Sequence, residues 1–315
     1  MSTAAHVVIG SGAIGSGVVR TLIGAGERVR VVTRSGSGPE HPLVERVAMD
    51  AGDADGISRL TEGASALYNC ANPPYHRWAT DWPPIADALL TAAERSGAVL
   101  ATMSNLYGYG PVDAPMTEDT PLAATFTKGR VRADMWRTAL AAHQDGRARV
   151  TEVRASDYIG PRAQTQFAER VVPKLLAGKP AQVLGAPDAA HTWTYTLDAA
   201  RLLVTVAADQ RAWGRPWHVP SHPACGSRQV VADMCRLAGV PEVPVKPIPH
   251  WLIKVGGLFS PLLRELPEVA YQHDRPFVMD SSAAQQTFGP APTPWDEILI
   301  DTMSPFRDAA GAAAA

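Results

Sequence analysis

The sequence predicts an α/β fold, a doubly wound parallel sheet with a small C-terminal substrate-binding region. Short apolar runs alternate with helical patterns over the first 155 residues, the signature of a parallel sheet covered on both faces. A glycine triplet closes the first apolar run and opens the first helical one. Past Gly160-Pro161 the alternation loosens.

The elements follow in order. Strands are predicted at 6–9, 28–33, 44–49, 66–71, 98–103 and 149–154. Helices are predicted at 13–25, 55–62, 84–96 and 125–142, with Gly26 and Gly97 as stops, since glycine readily takes the left-handed backbone that ends a helix. Beyond the junction, 164–176, 197–208, 227–238, 249–258 and 294–303 read as helices, and 193–196 and 217–219 as strands. Prolines between 241 and 249 break that stretch into loops. The alanine-rich tail 309–315 reads as frayed. Residues 1–160 form the expected dinucleotide-binding part, with about 190–220 returning to it. Residues 161–189 and 221–315 form the smaller substrate-binding part.

Composition narrows the function. With 46% hydrophobic residues the chain can bury a large core, and a net charge of −2 gives no electrostatic footprint for nucleic acid or an anionic membrane. No run approaches the ~20 apolar residues that span a bilayer. No secretory leader pattern precedes the first strand, so the cytoplasm is the expected compartment. Cys70, Cys225 and Cys235 read as reduced thiols, and no Cys/His spacing suits a metal. Only five of the 29 basic residues are lysine, which with the many alanines suggests a GC-rich bacterial genome. The expected partner is a small-molecule substrate, and a homodimer is compatible with the sequence.

Gly10-Ser11-Gly12-Ala13-Ile14-Gly15 matches GxGxxG in the strand-to-helix context that the motif needs. Gly10 permits the tight turn, Gly12 lets the backbone approach a pyrophosphate, and Gly15 lets helix and strand pack closely. The N–H groups of Ala13, Ile14 and Gly15 open the helix and suit the diphosphate. A fold selecting NAD carries an acidic residue about 20 residues on to hold the ribose. Here the second strand ends in Thr33-Arg34-Ser35. A guanidinium pairs a 2′-phosphate bidentately, so NADP is expected in preference to NAD.

These residues resemble the extended short-chain dehydrogenase/reductase superfamily, in its NAD-dependent epimerase/dehydratase-like branch. Ala48-Met49-Asp50 resembles the segment that sets an Asp against the adenine. Leu67-Tyr68-Asn69-Cys70-Ala71-Asn72 is similar to the strand end that passes under the cofactor. Leu106-Tyr107-Gly108 resembles the VYG after strand five, and Thr117-Glu118-Asp119-Thr120-Pro121 the acidic-proline stretch beyond it. Arg154-Ala155-Ser156-Asp157-Tyr158-Ile159-Gly160-Pro161 is similar to the motif ending in GP. Trp193-Thr194-Tyr195-Thr196-Leu197-Asp198-Ala199-Ala200 resembles YVxDxA, and Phe277–Ser282 with Phe288-Gly289 resembles a late strand and helix. The resemblance implies a Rossmann-type fold and places Gly10, Gly12, Ala13, Ile14, Gly15, Arg34, Ser35, Asp50, Cys70, Ala71, Asn72, Ala155 and Ser156 against the cofactor.

The superfamily's acid–base pair is a Tyr with a Lys four residues on. Four residues after the seven tyrosines stand Asn72, Ala79, Pro111, Asp113, Arg162, Ala199 and Arg275, none of them lysine. Lys128 best resembles the family lysine, which puts Ala124 in the tyrosine's place. Ser104 is one residue out of register with the family's Ser/Thr. Ser104, Tyr107 and Lys128 are therefore the expected catalytic residues, with Ser104 and Lys128 also touching the cofactor. Substitute proton donors are Tyr75, Tyr107, Tyr158, Tyr195, His76 or water held by Asp157. Tyr75, Asp157 and Tyr158 are expected to face substrate, and Arg162, Arg170 and Lys174 suit a diphosphate. The function so expected is an NADP-dependent reductase of a small organic carbonyl. The alternatives are a nucleotide-sugar epimerase or dehydratase, or an NADP-binding sensor without turnover.

Overall fold

The computed structural model describes residues 5–163, 165, 167–289 and 291–314, the side chains of 308–314 excepted. In chain order the elements begin β1 (His6–Ile9), α1 (Ala13–Gly24), β2 (Val29–Thr33), β3 (Val44–Ala48), α2 (Ala54–Thr61), β4 (Ala66–Asn69) and α3 (Trp78–Ser96). Then come β5 (Val99–Asn105), α4 (Thr127–Gln144), β6 (Arg149–Ala155), β7 (Asp157–Ile159), α5 (Val172–Leu176), β8 (Ala181–Val183), β9 (Trp193–Tyr195) and α6 (Thr196–Ala208). The rest are β10 (Pro216–His218), α7 (Ser227–Ala238), β11 (Val245–Pro247), α8 (His250–Gly256), α9 (Pro261–Val269), α10 (Tyr271–Asp274), α11 (Ser282–Phe288) and α12 (Trp295–Ala314).

Two compact units result: residues 1–110, 118–155 and 199–219, and residues 111–117, 156–198 and 220–315. The first holds a seven-stranded parallel sheet in the order β10-β6-β5-β4-β1-β2-β3. The chain winds outward from β1 through β2 to β3, then from β4 through β5 to β6. The winding reverses between β1 and β4, and folds of this kind place ligands at such a point, beyond the strands' carboxyl ends. Val7, Ile9, Val32, Leu67, Leu100 and Val150 pack with Ile57, Leu89 and Trp136 of the helices. Edge strand β3 is different: Glu45 and Arg46 are exposed, and Glu45 pairs with Arg30 at 2.9 Å. Charge on that edge blocks pairing with another chain.

The second unit has its own core, in which Ile159, Val171, Val172 and Leu175 meet Trp193, Val230, Met234 and Leu299. Two small parallel pairs, β7 with β9 and β8 with β11, complete it.

Several elements depart from the sequence expectation. α3 starts at Trp78, a turn and a half before the expected residue 84, with Pro83 and Pro84 inside it. Trp78 and Trp82, one helical turn apart, are both buried, and burying two indoles outweighs the lost backbone bonds. α12 runs to Ala314, so residues 309–314 of the tail expected to fray are helical, in keeping with alanine's helix propensity, and residue 315 lies outside the described residues. Lys246 and its neighbours form β11 inside the proline-rich stretch expected to be loop. In the helix expected at 164–176, positions 164 and 166 lie outside the described residues; a π-helical turn over Phe167–Val171 leads into α5. The late strand expected near 277 is reduced to isolated bridges, Phe277 with His191 and Met279 with Met116. Among the described residues no helix is long and apolar enough to cross a membrane.

Candidate active site

The glycine loop joins β1 to α1. Gly10 has φ +95°, and a Cβ there would lie 2.6 Å from the Cys70 carbonyl oxygen. A Cβ on Gly15 would lie 2.1 Å from the Gly10 carbonyl oxygen. Both glycines are therefore demanded by the fold itself. Gly12 differs: nothing lies within 4 Å of a Cβ built there, and its φ is −66°. Gly12 caps α1 without a side-chain hydrogen bond, and no acidic residue stands in the first turn. The N-terminus of this 12-residue helix carries positive partial charge with no acidic side chain against it, which suits a diphosphate. The loop fits a dinucleotide.

The flanking positions are as follows. Arg34 and Ser35 are exposed at the end of β2, where Ser35 donates to Ser37 at 3.0 Å. Asp50 is exposed and accepts from the Gly52 N–H at 2.8 Å. Cys70 lies under the loop, its thiol pushed up to about 12 by burial, so it is inert as a nucleophile. Ala71 is half-buried and Asn72 exposed. Ser104 is buried in β5, which continues through Asn105, and pairs in register with Arg154 of β6.

Beyond β4 the chain enters the aromatic loop. There the Tyr75 hydroxyl donates to the Tyr107 hydroxyl at 3.1 Å. Lys128 is buried, with Nζ 4.7 Å from the Tyr75 ring centroid. Trp78 packs at 5.1 Å from Tyr75 and 6.0 Å from Tyr107. One turn beyond Lys128, the Arg132 guanidinium lies between Trp78 and Trp82, at 4.6 and 4.3 Å. The structure thus brings together Tyr75, Tyr107 and Lys128 from three separate elements. The sequence offered Tyr75 both as a substitute proton donor and as a substrate contact, and gave no role to Arg132. Two tryptophans four apart, facing an arginine four after a lysine, were its only trace.

Position 124 is a further departure. α4 begins at Thr127, so Ala124 precedes the helix instead of standing one turn before Lys128 on it. Its N–H donates to the Gly108 carbonyl, and a Cβ on Gly129 would lie 2.3 Å from the Ala124 Cβ. No tyrosine at 124 could take a helical position below Lys128.

Ala155 ends β6 in the first unit and is buried. Ser156, Asp157 and Tyr158 open the second. The Ser156 N–H donates to the Thr194 hydroxyl at 3.0 Å. Asp157 Oδ2 lies 3.3 Å from Nε2 of His191 and 3.7 Å from Nε2 of His273. Tyr195 donates to Asp301 at 2.5 Å and His76 is exposed on its loop. Arg162 is exposed with φ +60°, Arg170 is exposed, and Lys174 donates to Gln182 at 2.9 Å.

The sequence profile of the NAD dependent epimerase/dehydratase family matches residues 7–219. No curated protein sequence matches the chain significantly. Solved structures share its fold across nearly its whole length. The dTDP-glucose 4,6-dehydratase from Streptomyces venezuelae, solved with NAD bound, is 20% identical, with TM-score 0.76 over 97% of this chain and 98% of that one. The UDP-glucose 4-epimerase from Thermotoga maritima, solved with UDP-glucose, is 18% identical, with TM-score 0.78 over 97% and 99%. The UDP-glucuronic acid 4-epimerase from Bacillus cereus, solved with UDP-glucuronic acid and NAD, is 16% identical, with TM-score 0.77 over 96% and 99%.

Proposed function

Since the chain belongs to the NAD-dependent epimerase/dehydratase family, a family of oxidoreductase-type enzymes, we propose that it acts on a hydroxyl-bearing carbon of a nucleotide sugar. Tyr75, Tyr107 and Lys128 replace the tyrosine absent before Lys128. The observation that carries this reading is the hydrogen-bonded phenol pair beside a buried ammonium, in the unit that holds the glycine loop. The family matched and the sugar-nucleotide enzymes sharing the fold support this class over a one-way reductase of a small carbonyl.

The loop from Gly10 to Gly15 and the start of α1 would hold the diphosphate of a nicotinamide dinucleotide. Arg34 would accept the 2′-phosphate of NADP, so NADP is the proposed preference. When bound, the nicotinamide takes or returns a hydride at the substrate carbon. The protein's share is the proton. To take up the proton of a substrate hydroxyl the pair must start with Tyr75 ionised: Tyr107 would accept the substrate's proton as it passes its own to Tyr75. The return step runs the same path backwards, Tyr75 donating to Tyr107 and Tyr107 to the substrate oxygen. Lys128 sets a positive charge against the Tyr75 ring, which carries negative charge once its proton has moved. Trp78 and Arg132 keep the two rings in place.

The test incubates the protein and cofactor with UDP-glucose, dTDP-glucose or UDP-glucuronic acid and follows conversion by NMR. Conversion of one of them is expected, with kcat about a hundredfold lower or more in Tyr107→Phe. Failure to bind or convert all three would remove the sugar-nucleotide reading. Full activity in both Tyr107→Phe and Tyr75→Phe would remove the relay.

A further inference from the structure

We propose that Asp157, His191 and His273 form a binding site for a divalent transition-metal ion of the zinc class. The three come from β7, the bridge segment before β9, and α10, all within the second unit. Their ligand atoms lie within 4.8 Å of one another.

The tautomer of His191 carries the argument. Its Nδ1 lies 3.0 Å from the Gln272 carbonyl oxygen. A carbonyl only accepts, so Nδ1 bears the hydrogen. In the neutral ring Nε2 is then a lone pair, and it lies 3.3 Å from a carboxylate oxygen that also offers only lone pairs. The contact is not aligned as a hydrogen bond: Nε2 is buried and lacks a hydrogen-bond partner, on a residue only 5% exposed. A buried acceptor facing an acceptor is costly. A cation between the two removes the conflict.

The distances fit such an ion. Tetrahedral zinc bonds of 2.0–2.2 Å set neighbouring ligand atoms ~3.4 Å apart. The two Asp157–histidine separations are 3.3 and 3.7 Å. The remaining edge, between the two histidine nitrogens, is no longer than 4.8 Å. The two rings stack at 5.4 Å and 17°, so His273, whose side chain is 19% exposed, must turn to aim its lone pair at the ion. The outer groups suit a metal as well. A ligating histidine usually donates its other N–H to a carbonyl or carboxylate, as His191 does to Gln272. The His191 ring is fixed by Trp193 at 4.9 Å and Phe277 at 5.4 Å, and its backbone exchanges hydrogen bonds with Cys225. Two histidines and one carboxylate leave a coordination position for water or a substrate oxygen.

This proposal stands apart from the dinucleotide chemistry, and its test needs neither cofactor nor sugar. Chelator-treated full-length protein is titrated with Zn²⁺ by calorimetry, and with Co²⁺ by visible absorption. One equivalent per chain is expected, with a Zn²⁺-dependent rise in melting temperature. His273→Ala and Asp157→Asn should each weaken Zn²⁺ about tenfold or more and abolish the Co²⁺ ligand-field bands of a four-coordinate site. The partly exposed His273 keeps the test valid should a change at buried His191 impair folding. No Zn²⁺ uptake by the wild type, or uptake unaltered in both variants, would overturn the proposal.

Discussion

Gly12 separates what a ligand demands from what the fold demands. Its neighbours Gly10 and Gly15 have no room for a side chain, whereas Gly12 has room and an ordinary φ. Gly12→Val is therefore expected to fold, with a denaturation midpoint close to wild type, and to lose dinucleotide binding by calorimetry. Undiminished binding would take the diphosphate away from this loop. The proposed role of Arg34 is to bind the 2′-phosphate of NADP. NADPH should bind about tenfold tighter than NADH, some 1.4 kcal/mol, and Arg34→Ala should erase most of that margin. Equal affinities in the wild type would end the preference. The motif at 10–15 was legible because its chemistry is local. The partnership of Tyr75 with Lys128 was not, because 53 positions separate them and neither sits in a motif that names the other. His191 and His273 went unremarked for the same reason: metal-ligand spacing is recognisable only when the ligands share an element.

Elements are held together by polar contacts as well as apolar ones. Arg154 of β6 donates to Glu152 at 2.6 Å and to the Tyr109 hydroxyl at 2.8 Å. Tyr109 lies 2.7 Å from Nε2 of His218 on β10, and the His218 N–H donates to Glu118. The Arg154 and Glu152 side chains are 3% and 4% exposed. Burial raises the Tyr109 pKa to about 12 despite the opposing Arg154 charge, so the phenol stays neutral and can link its partners. Arg154→Met is expected to cost about 3–5 kcal/mol in urea denaturation, because it strands the Glu152 charge. Adding Glu152→Gln should recover much of that loss. Additive effects would show that the two do not act as a pair. Strand positions were readable from apolar runs, whereas the start of α3 was not. Pro83 and Pro84 look like breakers until the burial of Trp78 and Trp82 is known, and burial is a tertiary fact.

At the scale of the whole molecule, the strand-helix alternation gave the parallel sheet, and the glycine loop indicated which strand comes first. The strand order was not read from the sequence: most crossovers step to a neighbouring strand, but the one from β3 to β4 jumps back past β2 and β1. Of the second unit's small strands only β9 was legible, as the strand expected at 193–196; β7, β8 and β11 were not, since three residues carry too little pattern to separate from loop. Glu45 and Arg46 on the outer strand β3 show how one end of the large sheet is closed off by charge. The other end is closed by β10, drawn from residues 216–218, which pairs with β6 at 152–154. That arrangement sets a timetable for synthesis. When the ribosome has made the first 160 residues, six strands of the sheet exist but β6 still has a bare edge, with the Arg154 network incomplete. The nascent chain must wait some sixty residues for its own closing strand. A 1–160 fragment should accordingly aggregate, whereas the same fragment supplied with residues 199–219 through a flexible linker should stay in solution. Equal solubility of the two would mean that β6 needs no cover. A translational pause ahead of residue 219 would then lengthen the interval in which chaperones must stand in for the missing strand.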